Sequence, residues 1–259
     1  MRPETQRSLE GKCAIVTGAA KGLGLAIAKV IASHGGNVFL VDSDPEVMEQ
    51  AKSSEFASGT AFAQVKDLAD DDAAPVIFQA ALAAMGEVDI LINNAAWSLH
   101  KLMLDMTPVE FNRLVAINQR APYFLSQEFA RHISHSARKP NNACIVNIAS
   151  VNAHAGFSHL VAYAGTKGAI SAMTRAMAVE MAPLGIRVNS ISPAVVDTPT
   201  LRKVIADRKI DMNTFFDNFL IKRLASCEEI AQLVTYLCSH SAACVDGSDW
   251  MIDGGYLAH

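Results

Sequence analysis

Short apolar segments alternate along this chain with longer stretches of helix-forming residues, and this alternation constrains the fold more than any other feature. Most of the segments are apolar at every position, as expected for parallel strands that are covered on both faces. The predicted strands are Cys13–Thr17, Asn37–Val41, Thr60–Val65, Val88–Ile92, Cys144–Ile148, Arg187–Ile191 and Trp250–Ile252. Repeated β-α-β units build an open, doubly wound parallel sheet with helices on both faces. We therefore predict an α/β protein in which residues 1–259 form a single domain.

Composition excludes several classes of function. Apolar residues make up 51% of the chain and the formal net charge is -4, so the chain has enough apolar material for a core and no general attraction to nucleic acid or an anionic membrane. No apolar run approaches the roughly 20 residues that span a bilayer. The polar first ten residues lack the apolar centre of a secretory signal, so we expect a cytoplasmic protein. The five cysteines are scattered without a C-x-x-C pair, and we expect neither a disulfide framework nor a metal site.

A glycine-rich turn at residues 17–24 follows the first predicted strand. Gly18 allows the tight turn, Gly22 lets the backbone approach a pyrophosphate, and Gly24 lets the next helix pack closely on the strand. The helix N-terminus then presents free N–H groups to phosphate. Because a strand precedes this turn and a helix follows it, we predict a dinucleotide site, with Lys21 and Leu23 among its contacts.

Asp42 ends the second predicted strand and points to the type of dinucleotide. A carboxylate there can accept both hydroxyls of an adenosine ribose and would repel a 2′-phosphate, which favours NAD over NADP. Lys21 is a counter-signal, since a basic side chain in the turn could meet a 2′-phosphate or could equally lie in solvent. Asp67 and Leu68 follow the third strand and could flank the adenine, although an ordinary loop carboxylate has the same spacing.

Tyr163 and Lys167 lie one helical turn apart and form the centre of the predicted catalytic site. A nearby ammonium, together with a positive nicotinamide ring, favours the phenolate, so Tyr163 could accept a proton from an alcohol while hydride leaves the carbon. Lys167 could also bind the nicotinamide ribose. Ser150 follows a strand and could hold the substrate oxygen. Asn118 stands within a predicted helix where an amide is mildly unfavourable, which indicates a role or else a solvent-facing residue.

Taken together, these motifs resemble the short-chain dehydrogenase/reductase family over nearly the whole chain. The matching features in chain order are the turn 17–24, Asp67, segment 93–95, Asn118, Ser150, Tyr163 with Lys167, Pro193 with Thr198, and segment 253–255. The resemblance implies a Rossmann-type fold, a nicotinamide cofactor and a catalytic tetrad of Asn118, Ser150, Tyr163 and Lys167. In that tetrad Asn118 would hold a water that connects Lys167 to solvent.

The resemblance also implies further cofactor contacts and an assembly. Those contacts are Asn94, Ala95, Pro193, Val196 and Thr198, together with Tyr163 and Lys167 themselves. The family usually forms tetramers or dimers, so a homotetramer or homodimer is expected. The chain has Ala96 and Ala194 where the family often has glycine, and a methyl group at Ala96 requires a negative φ or a slightly shifted loop. These departures affect the shape of the substrate pocket and remove no catalytic group.

The predicted substrate contacts combine apolar and polar side chains: Trp97, Ser150, Asn152, His154 and Tyr163. Trp97 could pack on a ring, while Asn152 and His154 could bind hydroxyl groups, so we expect a small polyhydroxylated or cyclic secondary alcohol such as a sugar or a diol. Trp97 and His154 also suit purely structural roles. Residues 198–223 form a long insertion after a strand and are a predicted substrate lid, with an ordinary surface helix pair as the alternative.

Three functions remain in competition. The leading hypothesis is an NAD-dependent oxidoreductase that interconverts a secondary alcohol and a ketone. An NADPH-linked 3-oxoacyl thioester reductase would need a basic site for the 2′-phosphate and for an acidic carrier, and Asp42 argues against it. A dinucleotide-binding sensor without turnover would have no use for a complete tetrad.

Overall fold

A computed structural model describes residues 8–57, 60–136, 142–208 and 216–258 of the chain. The strands are β1 (Cys13–Thr17), β2 (Asn37–Asp42), β3 (Ala61–Val65), β4 (Ile90–Asn93), β5 (Ala143–Ile148), β6 (Ile186–Pro193), β7 (Val196–Asp197), β8 (Ala225–Ser226) and β9 (Asp249–Ile252). The helices are α1 (Gly22–Ser33), α2 (Glu46–Gln50), α3 (Ala73–Met85), α4 (Pro108–Val115), α5 (Ala121–His135), α6 (Val161–Met181), α7 (Pro199–Arg208) and α8 (Cys227–Cys238).

Within the described residues, seven strands form one parallel sheet in the order β3-β2-β1-β4-β5-β6-β9. The predicted α/β class, the parallel pairing and the double winding are thereby confirmed. β7 and β8 form a separate short pair beside the sheet. No helix in the described part of the chain combines the length and the apolar character needed to cross a membrane.

The sheet is covered by a core on each face. One core joins α1 and α8 to the sheet through residues such as Ile27 and Val234, and the other joins α3, α5 and α6 through residues such as Ile77, Phe129 and Met177. Strand residues alternate between the two cores, with Val16 in the first and Ile15 in the second. This explains why β1 is buried along its whole length and why its sequence has no polar alternation.

One predicted strand end differs in the structure, and side-chain caps define the starts of two helices. The fourth strand begins at Ile90 rather than Val88, because the Asp89 carboxylate turns to accept the backbone N–H of Cys13 at 3.1 Å. The capping boxes at Thr107 with Glu110 and at Ser226 with Glu229 are both present. Each cap satisfies backbone N–H groups of the first turn, so α4 and α8 begin directly after Thr107 and Ser226.

The order of the sheet creates a crevice between β1 and β4. The chain runs from β1 outward through β2 to β3 and then returns to β4 on the other side of β1. The connections that follow β1 and β4 therefore leave in opposite directions, and a ligand can enter between them at the carboxyl ends of the strands. Gly18 follows β1 and Asn94 follows β4, so the glycine turn lies at this switch point.

Candidate active site

A cleft of about 480 Å³ opens at this switch point. Its lining includes most of the predicted cofactor contacts: Gly18, Lys21, Leu23, Gly24, Asp42, Asp67, Leu68, Asn94 and Ala95. It also includes Ala96, one of the two departures from the family pattern, and residues that the sequence did not single out: Val41, Ser43, Lys66, Arg113 and Ile117. Val41 and Ser43 flank a predicted residue and could have been inferred from it. Arg113 and Ile117 come from α4 and the turn after it, and only tertiary packing brings them to the cleft.

The glycine turn has no room for side chains at two of its three glycines. A Cβ at Gly24 would collide with the carbonyl oxygen of Gly18, and a Cβ at Gly18 would lie 2.8 Å from the Cα of Ala95. Gly18 and Gly22 have φ values of 68° and 58°, a region that favours glycine. The Asn94 amide donates to Thr17 O at 2.8 Å and to Gly18 O at 3.2 Å, which fixes the turn against the end of β4.

Gly24→Ala is expected to lower the free energy of unfolding by about 1–3 kcal/mol, because the added methyl group meets rigid backbone. It should also weaken dinucleotide binding, since the turn must move to relieve the collision. Thermal melts and cofactor titration measure both effects. Gly168→Ala in α6 is the matched control, because a Cβ there meets nothing within 4 Å and alanine favours helix. Equal melting temperatures for Gly24→Ala and the wild type would contradict the packing argument.

The Asp42 carboxylate is held in place at the rim of the cleft. Its Oδ2 accepts the N–H of Ala20 at 3.0 Å and its Oδ1 accepts the N–H of Asp44 at 3.0 Å. Lys21 forms an ion pair with Asp44 at 3.1 Å, so its ammonium is held by a carboxylate at the rim of the cleft. This part of the cleft therefore carries two carboxylates and one ammonium, a balance that disfavours an added phosphate.

Asp67 closes the far side of the cleft with a partner that the sequence did not reveal. Its carboxylate accepts the N–H of Ala69 at 2.8 Å and the guanidinium of Arg113 at 2.7 Å. These two bonds and burial act against each other, and the net effect lowers the pKa of Asp67. The neighbouring Leu68 is only 7% exposed and provides an apolar wall at the predicted place of the adenine.

The residues predicted to be catalytic meet at the start of α6. Ser150 lies close enough to the Tyr163 phenol to lower its pKa, and the Lys167 Nζ lies 5.7 Å from the centre of the Tyr163 ring. Lys167 is buried and donates to the carbonyl oxygen of Ile148 at the end of β5, at 2.6 Å. One turn of helix and one strand end thus place three of the four predicted groups together.

The pKa values of this pair differ from the sequence-based expectation. Burial raises the pKa of Tyr163 to about 12, an effect that the Ser150 hydrogen bond partly opposes. Burial also lowers the pKa of Lys167 to about 8, so its amine holds its proton less firmly than a surface lysine. The protein alone therefore does not stabilise the phenolate. The predicted phenolate also depends on the positive charge that a nicotinamide ring would supply.

The depressed pKa of Lys167 predicts a pH-dependent stability. An unfolded lysine has a pKa near 10.4, so between about pH 8 and 10 the unfolded chain binds more protons, and the free energy of unfolding rises with pH by up to about 1.4 kcal/mol per unit. Lys167→Met should remove this rise when wild type and variant are unfolded by urea at several pH values. Lys52→Met, at an exposed lysine, should keep it. Parallel curves for the wild type and Lys167→Met would contradict the buried amine.

Asn118 lies in a π-helical turn rather than in the regular helix that the sequence predicted. The turn, Ala116–Arg120, joins α4 to α5. The Asn118 side chain accepts the N–H of Trp97 at 2.8 Å and donates to Trp97 O at 3.0 Å and to the Thr166 hydroxyl at 3.2 Å. Trp97 lines the cleft and Thr166 precedes Lys167, so Asn118 connects the wall of the cleft to the helix of the predicted catalytic pair. Such π turns occur often at functional sites.

The other predicted substrate and cofactor contacts are spread around this centre. Asn152 donates its N–H to the Ser150 hydroxyl at 3.2 Å. His154 Nε2 lies 2.8 Å from the Asp249 carboxylate of β9, which commits that nitrogen to a protein partner. Pro193 ends β6 and Val196 lies in β7, outside the lining of the cleft. Thr198 caps the start of α7, and its methyl group is 3.6 Å from the position of a Cβ at Gly22.

Aromatic side chains from three segments surround the end of the predicted lid. Phe157 stacks on Tyr256 with ring centres 5.7 Å apart, and Phe219 lies 5.0 Å from Tyr256. Ile221 donates its N–H to Gly254 O at 2.9 Å, so the lid segment is attached to the C-terminal turn. Residues 209–215 of the lid lie outside the described residues. The sequence did not point to Tyr256, because only the folded chain brings residue 256 beside Phe157.

Neither alanine that departs from the family pattern is strained. Among the described residues, the non-glycine residues with positive φ are Asn142 and His159, so Ala96 and Ala194 both accept a methyl group without a left-handed backbone. Ala96 lines the cleft directly. Among the described residues, no three His, Cys, Asp or Glu side chains lie close enough together to hold a metal ion.

Comparison with known proteins identifies relatives over almost the whole chain. A family model described as "Enoyl-(Acyl carrier protein) reductase" matches residues 18–257. Cyclopentanol dehydrogenase from a Comamonas strain is 32% identical over 249 residues, which cover 96% of this chain and 98% of the relative.

Solved structures agree with the fold throughout. A 3-ketoacyl-(acyl-carrier-protein) reductase from Brucella melitensis, complexed with NADH, superposes with a TM-score of 0.86 at 33% identity and covers 96% of this chain and 99% of its own. A structure from Beutenbergia cavernae that bears the name of an NAD(P)-dependent gluconate 5-dehydrogenase and holds NADP has a TM-score of 0.88 at 32% identity, with coverages of 98% and 100%.

Proposed function

We propose a function from one premise, that this chain belongs to the short-chain dehydrogenase/reductase family. It is an oxidoreductase that acts on a CH–OH group with a nicotinamide cofactor. The finer proposal is that it uses NAD to interconvert a small secondary alcohol and its ketone. The observation that carries this proposal is the placement of Tyr163 and the buried Lys167 amine one turn apart on α6, with that amine bound to Ile148 O at the end of β5, two residues before Ser150.

The residues present fit a dinucleotide. Gly18 and Gly24 let the turn pack directly against Asn94 and Ala95 at the end of β4, so its backbone lines the cleft, and Asp42 offers a fixed acceptor at the rim. When bound, the nicotinamide accepts or donates a hydride. We assign the cofactor contacts to Gly18, Lys21, Gly22, Leu23, Gly24, Asp42, Asp67, Leu68, Asn94, Ala95, Tyr163, Lys167, Pro193, Val196 and Thr198.

The protein's own part in the reaction is to move one proton and orient one oxygen. Ser150 donates a hydrogen bond to the substrate oxygen, and Tyr163 takes the hydroxyl proton in oxidation or returns it in reduction. The amine of Lys167 lies 5.7 Å from the centre of the Tyr163 ring and has a pKa of about 8, so it can exchange protons near neutral pH. Asn118, bound to both the cleft wall and the helix of Tyr163, holds these parts at a fixed separation and orders the water through which Lys167 reaches solvent.

A preference for NAD is supported by charge. Asp42 lies at the rim of the cleft with Asp44 beside it, and Lys21 is already paired with Asp44. Accommodating NADP would require Lys21 to leave that ion pair and Asp42 to tolerate a second anion. Solved relatives hold NADH in one case and NADP in another, so the preference of this chain rests on its own residues.

The substrate is proposed to be a small cyclic or polyhydroxylated alcohol. Trp97 provides an apolar face beside the cleft, while Ser150, Asn152 and Tyr163 provide polar groups for hydroxyls. The stacked rings of Phe157 and Tyr256 add apolar surface next to the segment that follows Ser150. A relative that carries the name cyclopentanol dehydrogenase supports a cyclic alcohol.

Residues 198–223 are proposed to close over the substrate. The segment begins against the glycine turn at Thr198 and returns to the C-terminal turn at Ile221, so both of its ends lie beside parts of the site. We further propose a homotetramer or homodimer in the cytoplasm, with no nucleic-acid or membrane partner.

A 3-oxoacyl thioester reductase is the second candidate, because the matching family model and one solved relative carry acyl-carrier-protein reductase names. Steady-state rates with NAD and NADP across cyclic alcohols, sugars, diols and acyl thioesters distinguish the candidates. Turnover of a cyclic or sugar alcohol with NAD is expected. Turnover confined to thioesters with NADPH would select the alternative, and cofactor binding without any turnover would indicate a sensor.

A further inference from the structure

The Asp249 carboxylate, on the edge strand β9, is bound by side chains from several other elements. The Asp249 side chain is 11% exposed and lies at the start of β9. It accepts the Ser171 hydroxyl at 2.9 Å, the Ser192 hydroxyl at 2.9 and 3.1 Å, and lies 2.8 Å from His154 Nε2. A carboxylate with so little exposure needs several donors to replace water, and these groups supply them.

The three partners come from the three elements that frame the proposed active site. Ser171 follows Tyr163 and Lys167 at successive four-residue steps on α6, so all three lie on one face of the helix. His154 ends the short 3-10 turn that begins after Ser150. Ser192 is the penultimate residue of β6, next to Pro193. Asp249 therefore contacts the Ser150 loop, the Tyr163 helix and the strand that leads to the lid.

We infer that Asp249 is a positioning residue that holds the loop of Ser150 against the helix of Tyr163 and Lys167. His154 then serves as the arm that connects the loop to Asp249. This inference rests on the proposed function, since it concerns the separation of Ser150 and Tyr163 during proton transfer. A small displacement of either hydroxyl would reduce the rate without removing a reacting group.

Asp246 provides a matched control three positions away. Its Oδ1 accepts the N–H of Val188 at 2.7 Å and that of Gly247 at 3.0 Å. Both donors are backbone groups of β6 and the loop before β9, on segments that carry none of the proposed catalytic groups. Loss of the Asp246 carboxylate should therefore affect stability at the same edge of the sheet without reaching the site.

The test is a double-mutant cycle between Asp249→Ala and Ser150→Ala, with kcat, KM for each substrate, NAD affinity and melting temperature measured for every variant. Asp249→Ala is expected to lower kcat by about tenfold and to leave NAD affinity within about twofold. In the Ser150→Ala background the same change should cost less than about twofold, because the group that it positions is gone. Asp249→Asn keeps one acceptor oxygen and should recover part of kcat, and Asp246→Ala should lower the melting temperature with kcat unchanged.

Each contrary result has a distinct meaning. Independent, multiplicative losses in the cycle, or an equal loss of kcat in Asp246→Ala, would refute the positioning role. If Asp249→Ala fails to fold, His154→Ala replaces it in the cycle, and a raised KM for the alcohol without coupling to Ser150 would make His154 a substrate ligand and refute the inference. Absence of turnover in the wild type would refute the proposed function, and this inference with it.

Discussion

Tyr163→Phe is expected to lower kcat by about 100- to 10,000-fold, the range by which a positioned acid or base contributes to catalysis. The phenyl ring keeps the packing of the side chain and removes the phenol oxygen, whose pKa responds to Ser150. The affinity for NAD should stay within a few-fold, since the glycine turn and Asp42 are untouched. Stopped-flow or steady-state assays measure the rate, and calorimetric titration measures NAD binding.

Tyr236→Phe is the control for this variant. Tyr236 lies on α8, is 38% exposed and packs against Trp250 at a ring-centre distance of 6.0 Å. It should retain wild-type rates and lose little stability. A wild-type rate for Tyr163→Phe would show that another group carries the proton, whatever the result for Tyr236→Phe.

Asp42→Ala is the second large effect. Loss of a charged acceptor for the ribose hydroxyls is expected to weaken NAD binding by about 10- to 100-fold, which is about 1.4–2.8 kcal/mol and close to the net worth of one hydrogen bond to a charged group. NADP should bind as well as before or better, because one repelling charge has gone. The ratio of kcat/KM with NAD to kcat/KM with NADP should therefore fall by at least the factor by which NAD binding is weakened.

Asp44→Ala separates the two ways in which this rim can discriminate. It removes a carboxylate and releases Lys21, which is 62% exposed, but leaves the acceptor at Asp42 in place. NAD affinity should remain near that of the wild type, and NADP should gain from the freed ammonium. If Asp44→Ala abolishes the preference as fully as Asp42→Ala does, then Lys21 and net charge control the choice of cofactor rather than the ribose contact.

The parts of this molecule that local sequence determines were predicted from it. Every strand of the main sheet was anticipated to within two residues, because most of these strands are buried on both faces and leave short apolar runs, although β6 also buries polar residues such as Arg187 and Asn189. The glycine turn was predicted for a related reason. A backbone that must pass within contact distance of Ala95 tolerates only glycine at Gly18, and the strand before it and the helix after it mark the place.

The parts that depend on distant partners were not predicted. Nothing near His154 in the chain indicates that it meets Asp249, which follows 95 residues later. Arg113 and Tyr256 reach the site through the packing of α4 and the C-terminal turn, and no motif marks either one. The pKa of Tyr163 also depends on burial, which a pattern of letters does not measure. Sequence thus located the chemistry, and tertiary contacts determine how that chemistry is held and tuned.

The wide turn at Ala116–Arg120 has a consequence for how this region can vary. A π turn is equivalent to one extra residue within an α-helix, and each residue of an α-helix advances the side chains by about 100°. Leu125, Phe129 and Ile133 of α5 face the core because of that added step. Removing a single residue here would rotate this apolar stripe toward solvent and turn the Asn118 amide away from Trp97. Substitutions on the outer surface of this segment should be tolerated, whereas a change in its length should not. A relative with a deletion at this point should therefore pack α5 differently.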